Sequence, residues 1–90
     1  MLVTWTEPKD NGSPILGYWV ERREINSSHW TRVNRDIIED TEVNVEGLRE
    51  GLTYIFRVAA ENQAGPGKFS VPSEPKTAQE PICKSDNIYI

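Results

Sequence analysis

Apolar and polar residues alternate with a period of two over short stretches of this chain, and turn-forming residues separate the stretches. Such alternation sets one face of a β-strand against a core and the other in water. Val3-Thr4-Trp5 reads in, out, in. From Glu7 to Pro14 the chain is rich in proline, asparagine and glycine, which preset or tolerate turn dihedrals, so a loop is expected there. Ile15 opens a second strand, with Tyr18 and Val20 on one face and Trp19 and Glu21 on the other. The mixed charges of Glu21-Arg22-Arg23-Glu24 suit a solvated strand end. Asn26-Ser27-Ser28 reads as a polar turn, His29 to Val33 as a short strand, and Asn34 to Asp40 as a connection without periodicity.

The second half follows the same rule. Thr41 to Val45 alternates and aims Val43, Val45 and then Leu48 inward, and Glu50-Gly51 makes a turn. Thr53 to Glu61 is the strongest strand, with Tyr54, Phe56, Val58 and Ala60 on its core face. Asn62 to Gly67 has the composition of a loop. Lys68 to Ala78 contains Pro72 and Pro75; proline cannot donate to a ladder, so an edge strand is expected. No window shows apolar residues at helical spacing. The pattern predicts an all-β, two-sheet antiparallel sandwich whose core holds Trp5, Tyr18, Val20, Leu48, Tyr54, Phe56 and Val58. Burying Trp5 between the sheets is worth about 2–3 kcal/mol or more.

Composition narrows the function. The chain has 90 residues, one domain by length, and its hydrophobic 37% and charged 27% are those of a folded protein rather than a disordered one. The net charge of -4, with no basic stripe, argues against a nucleic-acid or anionic-membrane surface. No apolar run is long enough to span a bilayer. Met1 is not followed by a secretory signal, as expected of a cytosolic protein or of a piece of a longer one. Cys83 is the single cysteine, so no internal disulfide or multi-cysteine metal site forms.

Catalytic chemistry finds no footing, and neither an enzyme activity nor a cofactor is expected. His29 is the single histidine and has no nucleophile at a recognisable spacing. Glu39, Asp40 and Glu42 cluster without the ligand spacing of a calcium loop. Gly65-Pro66-Gly67 does not lead from a strand into a helix, so it reads as a turn and not as a phosphate cradle. Asn26-Ser27-Ser28 fits the N-glycosylation acceptor pattern, which gains meaning only in an extracellular protein. Arg-Gly-Asp and the paired Trp-Ser motif are both absent. The candidate binding surface is Trp19, Arg22 and Arg23 on one strand with Arg57 alongside. These residues either stack on one another or meet a protein partner.

The order of these residues resembles a known family. Trp5 is followed by Glu7 and by Gly12-Ser13-Pro14-Ile15-x-Gly17-Tyr18. Then come Leu48-x-x-Gly51-Leu52-Thr53-Tyr54 and Arg57-Val58-x-Ala60-x-Asn62-x-x-Gly65. In register, over residues 2 to 78, they resemble the fibronectin type III fold. Tyr54, just past a glycine turn, matches the tyrosine corner, whose hydroxyl bonds a nearby upstream backbone group. Gly17 to Glu24, Trp30 to Asn34 and Ala60 to Gly67 are similar to the type III modules of giant, titin-like sarcomeric proteins. That resemblance implies an intracellular module of the thick-filament region, a spacer and docking surface with myosin or neighbouring modules as partners. A type III module of an extracellular adhesion molecule or receptor stays open beside it.

The resemblance breaks at both ends. The family's first strand ordinarily precedes the position of Trp5 by about 15 residues, and here only Met1 to Thr4 do, so that strand is missing and an edge is unpaired. An unpaired edge invites another chain, which opens a reading of the molecule as a self-associating homo-oligomer. Residues 1–78 are expected to form the domain and 79–90 a tail or linker. Within the tail, Asn87-Ile88-Tyr89-Ile90 has high β-propensity. It either frays or adds a strand to the vacant edge of its own or a second copy.

Overall fold

The computed structural model describes residues 1–7, 14–70, 72–78 and 87–90. The expected loop after Glu7 and Cys83 lie outside these. The described residues form eight strands: β1 (Leu2–Thr4), β2 (Gly17–Glu24), β3 (Thr31–Arg32), β4 (Glu42–Asn44), β5 (Thr53–Asn62), β6 (Gly65–Phe69), β7 (Lys76–Thr77) and β8 (Asn87–Tyr89). They make two sheets. One has the order β4-β1-β8, and the other runs β3-β2-β5-β6 with β7 also on β5. All pairings are antiparallel except β1 with β8, which is parallel.

The centre of the larger sheet is the long β2–β5 pair, in register from Gly17↔Glu61 to Glu24↔Tyr54. Alternation sends Tyr18 and Val20 of β2 and Tyr54, Phe56 and Val58 of β5 toward the smaller sheet. There they form one buried cluster with Met1, Val3, Trp5, Val45, Ala78 and Ile88. Phe56, Val3 and Val20 are fully enclosed. Trp5 lies edge-on to Tyr18, with ring centroids 5.3 Å apart. Its Nε1 finds no acceptor among the described residues. Leu48 is half-buried and packs against the cluster rather than within it.

Four local expectations change. The stretch from Asn34 to Asp40 is not a bare connection. Ile38 bridges to Tyr18, donating to and accepting from its backbone at 3.2 and 2.7 Å. Asn34 caps the same edge, its Oδ1 accepting from the Val20 N–H at 2.9 Å and its Nδ2 donating to the Tyr18 carbonyl at 3.1 Å. Second, the glycine-rich loop ends early, because Asn62 and Gly65 pair across a two-residue turn and β6 begins at Gly65. Gly65 has φ 113°, which glycine adopts without strain. Third, Pro72 and Pro75 divide the expected single edge strand into β6 and β7. Two serines carry the β5 ladder across the gap: Ser70 and Ser73 each donate a backbone N–H, at 2.7 Å, to Val58 and Phe56. Their Oγ atoms accept the N–H groups of the same two residues at 3.0 and 2.9 Å. Fourth, the edge of β1 that the sequence left vacant is covered by β8, with Leu2↔Asn87, Val3↔Ile88 and Thr4↔Tyr89 in register.

Candidate functional site

The outer face of the larger sheet carries the residues of the candidate binding surface, and pairing decides which of them meet. Trp19 stands opposite Ala59, and Ala59 opposite Phe69; Glu21 stands opposite Arg57. Alternation therefore puts Trp19, Glu21 and Arg23 of β2, Arg57 of β5 and Phe69 of β6 on one surface. Arg22 is not on it. Sharing the parity of Tyr18 and Val20, it points the other way, with its guanidinium 5.6 Å from the Tyr54 ring centre at the sheet's end. The candidate surface of four is thus a surface of three, and Arg22 covers the rim of the core.

Arg57 is the hub of this face. Its guanidinium lies 4.1 Å from the ring centres of both Trp30 and Phe69. Its Nε donates to Glu21 Oε1 at 2.9 Å, and Nη2 reaches the same oxygen. Arg23 approaches Trp30 as well, at 5.3 Å, and donates through Nη1 to the Ser27 carbonyl. Trp19 stacks neither with Arg22 nor with Arg23. Arg32, from the adjacent β3, lies over it at 4.5 Å, while its Nε1 donates to Glu61 Oε1 at 3.1 Å. The result is a band of alternating rings and guanidinium groups across four strands, held by stacking and by charge-assisted hydrogen bonds. It covers Ile55 and Ala59, which face outward on β5 yet are buried.

Trp30, Arg32, Phe69, Glu21 and Glu61 were not singled out from the sequence. Their types gave a signal, aromatic and charged residues at outward positions, but which of them meet is a matter of strand order. Chemically the band offers flat aromatic and guanidinium surface with balancing carboxylates, a composition suited to protein contact. Among the described residues, no three His, Cys, Asp or Glu side chains gather to hold a metal ion. His29 directly precedes Trp30 of the band, Glu42 lies on β4 of the smaller sheet, and both, like Glu39 and Asp40, are exposed.

The tyrosine after the glycine turn has a different task. The Arg49 N–H donates to Tyr54 Oη at 2.9 Å, pinning the connection between β4 and β5 to the wall of the core.

With this geometry, comparison with known proteins is decisive. The model of the "Fibronectin type III domain" family matches residues 1–76. The chain belongs to the fibronectin type III family. Human Myomesin-2 is 45% identical over 75 residues, which are 82% of this chain and 5% of that protein. Slow-type Myosin-binding protein C from rat is 41% identical over 75 residues, again 82% of the chain and 12% of the relative. A crystal structure of domains from titin superposes with a TM-score of 0.79 at 42% identity, covering 86% of this chain and 26% of that one. A structure of titin kinase and its flanking domains gives 0.76 at 41% identity, covering 86% and 14%. This type III module is therefore homologous to muscle proteins of the sarcomere, and it spans only a small part of each relative's length.

Proposed function

We propose that this type III module is a non-catalytic spacer and docking domain of a multidomain muscle protein, acting in the cytoplasm within the thick-filament region of the sarcomere. The observation that carries the reading is the extent of the matches. A stretch of 75 residues aligns at 41–45% identity with as little as 5–12% of a long relative, as a repeated unit of an array would. Spacing needs only a rigid body with a continuous core. Docking needs an accessible face, and the band supplies one of the right chemistry, with Arg32 exposed and Trp19, Arg23, Trp30, Arg57 and Phe69 half-buried around it.

The partner we favour is myosin, on the strength of the name and similarity of Myosin-binding protein C. The test is co-sedimentation of the chain with striated-muscle myosin filaments. Binding that falls at least tenfold in Arg23→Glu/Arg32→Glu, with an unchanged melting temperature, supports docking through the band. An absence of binding at about 100 µM removes myosin as the partner, and equal binding by parent and variant moves the contact to another face.

A further inference from the structure

The family match ends at residue 76, yet Ile88 is 5% exposed and belongs to the same buried cluster as Val3 and Val45. A segment beyond the matched extent thus completes the core. It does so along the side of β1 that faces away from β4, where the Ile90 N–H donates to the Thr4 carbonyl at 2.9 Å. The acceptor has two parts: the backbone of Leu2–Thr4, and the apolar floor around fully enclosed Val3 that takes the Ile88 side chain. The segment it holds is three residues of strand at a sheet edge, in the slightly weaker parallel arrangement. Such a strand opens locally at a cost well below that of unfolding the domain.

We propose that this side of β1 is a strand-acceptor site, and that its occupant in trans is the Asn87–Ile90 segment of a second copy, giving a strand-exchanged homodimer. The second copy fits because every copy carries the segment whose isoleucine already matches the floor over Val3. Exchange reproduces each contact seen in cis and needs no new interface. The tether of residues 79–86 sets the balance. Only eight residues separate Ala78 from Asn87, and so short a covalent connection holds its own strand at an effective concentration in the mM range, so at µM protein the closed monomer prevails.

Shortening the tether inverts that balance. The two sheets of a sandwich lie about 10 Å apart, and deletion of residues 80–86 leaves a span of at most about 7 Å between Ala78 on one sheet and Asn87 on the other. The strand then cannot close in cis. The expected result, by light scattering at about 100 µM, is a doubled mass in the shortened chain where the parent is monomeric, with the parent's melting temperature retained. Adding Ile88→Lys to the shortened chain returns it to monomer. A shortened chain that stays monomeric overturns the proposal, whether its melting temperature falls or not. So does a dimer that survives Ile88→Lys, because its contact is not the exchanged strand.

Discussion

At the scale of single residues, the core and the outer band make different demands. Phe56 is fully enclosed between the sheets, and Phe56→Ala should cost about 3–5 kcal/mol of stability through lost burial and the cavity left behind. Tyr54 contributes ring burial and one hydrogen bond from the Arg49 N–H. Tyr54→Phe keeps the first and removes the second, so a loss of about 1–2 kcal/mol is expected in urea unfolding. Tyr18 reports on pH. Burial, and after it the charge of Glu7, raises its phenol above the ordinary value of about 10. The folded state therefore holds this proton more tightly than the unfolded state does. The associated stability is fully present below about pH 10 and is lost as pH rises through the folded pKa. Urea titrations at successive pH values should show a steeper alkaline loss in the parent than in Tyr18→Phe. Equal slopes would assign the alkaline loss to other groups.

At the scale of elements, β5 is the strand on which the larger sheet depends, since β2, β6 and β7 all pair with it. Its partner strand is interrupted by Pro72 and Pro75, and side-chain oxygens take the place of ladder acceptors. Ser73→Ala leaves the N–H of fully enclosed Phe56 without that acceptor, and a loss of about 1–3 kcal/mol follows. The same substitution at an exposed serine such as Ser28 should be near neutral, which makes it the control. On the other side, β2 approaches the Ile37–Ile38 segment so closely that a Cβ at Gly17 would lie 2.8 Å from the Ile38 carbonyl oxygen. Gly17→Ala should cost about 1–3 kcal/mol by forcing that segment away, measurable as a lower urea midpoint with an unchanged slope. In the outer band, a double-mutant cycle on Trp30→Ala and Arg57→Ala should return a coupling of about 0.5–2 kcal/mol. A coupling of zero would mean that the stack contributes nothing to the fold.

At the scale of the molecule, the buried cluster draws on both sheets and on both ends of the chain, from Met1 and Val3 through Phe56 to Ile88. No sub-part of such a core is complete alone, so unfolding should be a single cooperative step. Tryptophan fluorescence and far-ultraviolet circular dichroism should give coincident urea transitions. Separate midpoints would show that β8 and its neighbours melt independently of the β2–β5 pair.

The family entered through the resemblance carried by Trp5, Tyr18, Tyr54 and Val58 in their order. Period-two alternation and turn chemistry were enough by themselves to determine the fold class, because each is a local consequence of residue type. The approximate strands and most of the core follow from the same cause, since a strand's parity is written in consecutive residues. The tertiary structure alone decided the rest. That Arg57 lies between Trp30 and Phe69, that Arg32 and not Arg23 covers Trp19, and that Arg22 turns toward Tyr54 all depend on strand order and register. So does the use of Ser70 and Ser73 as ladder acceptors, and so does the seating of Ile88 beside Val3 from 85 positions away. Register is set by the sum of contacts across the whole sandwich, and no short stretch of sequence contains that sum.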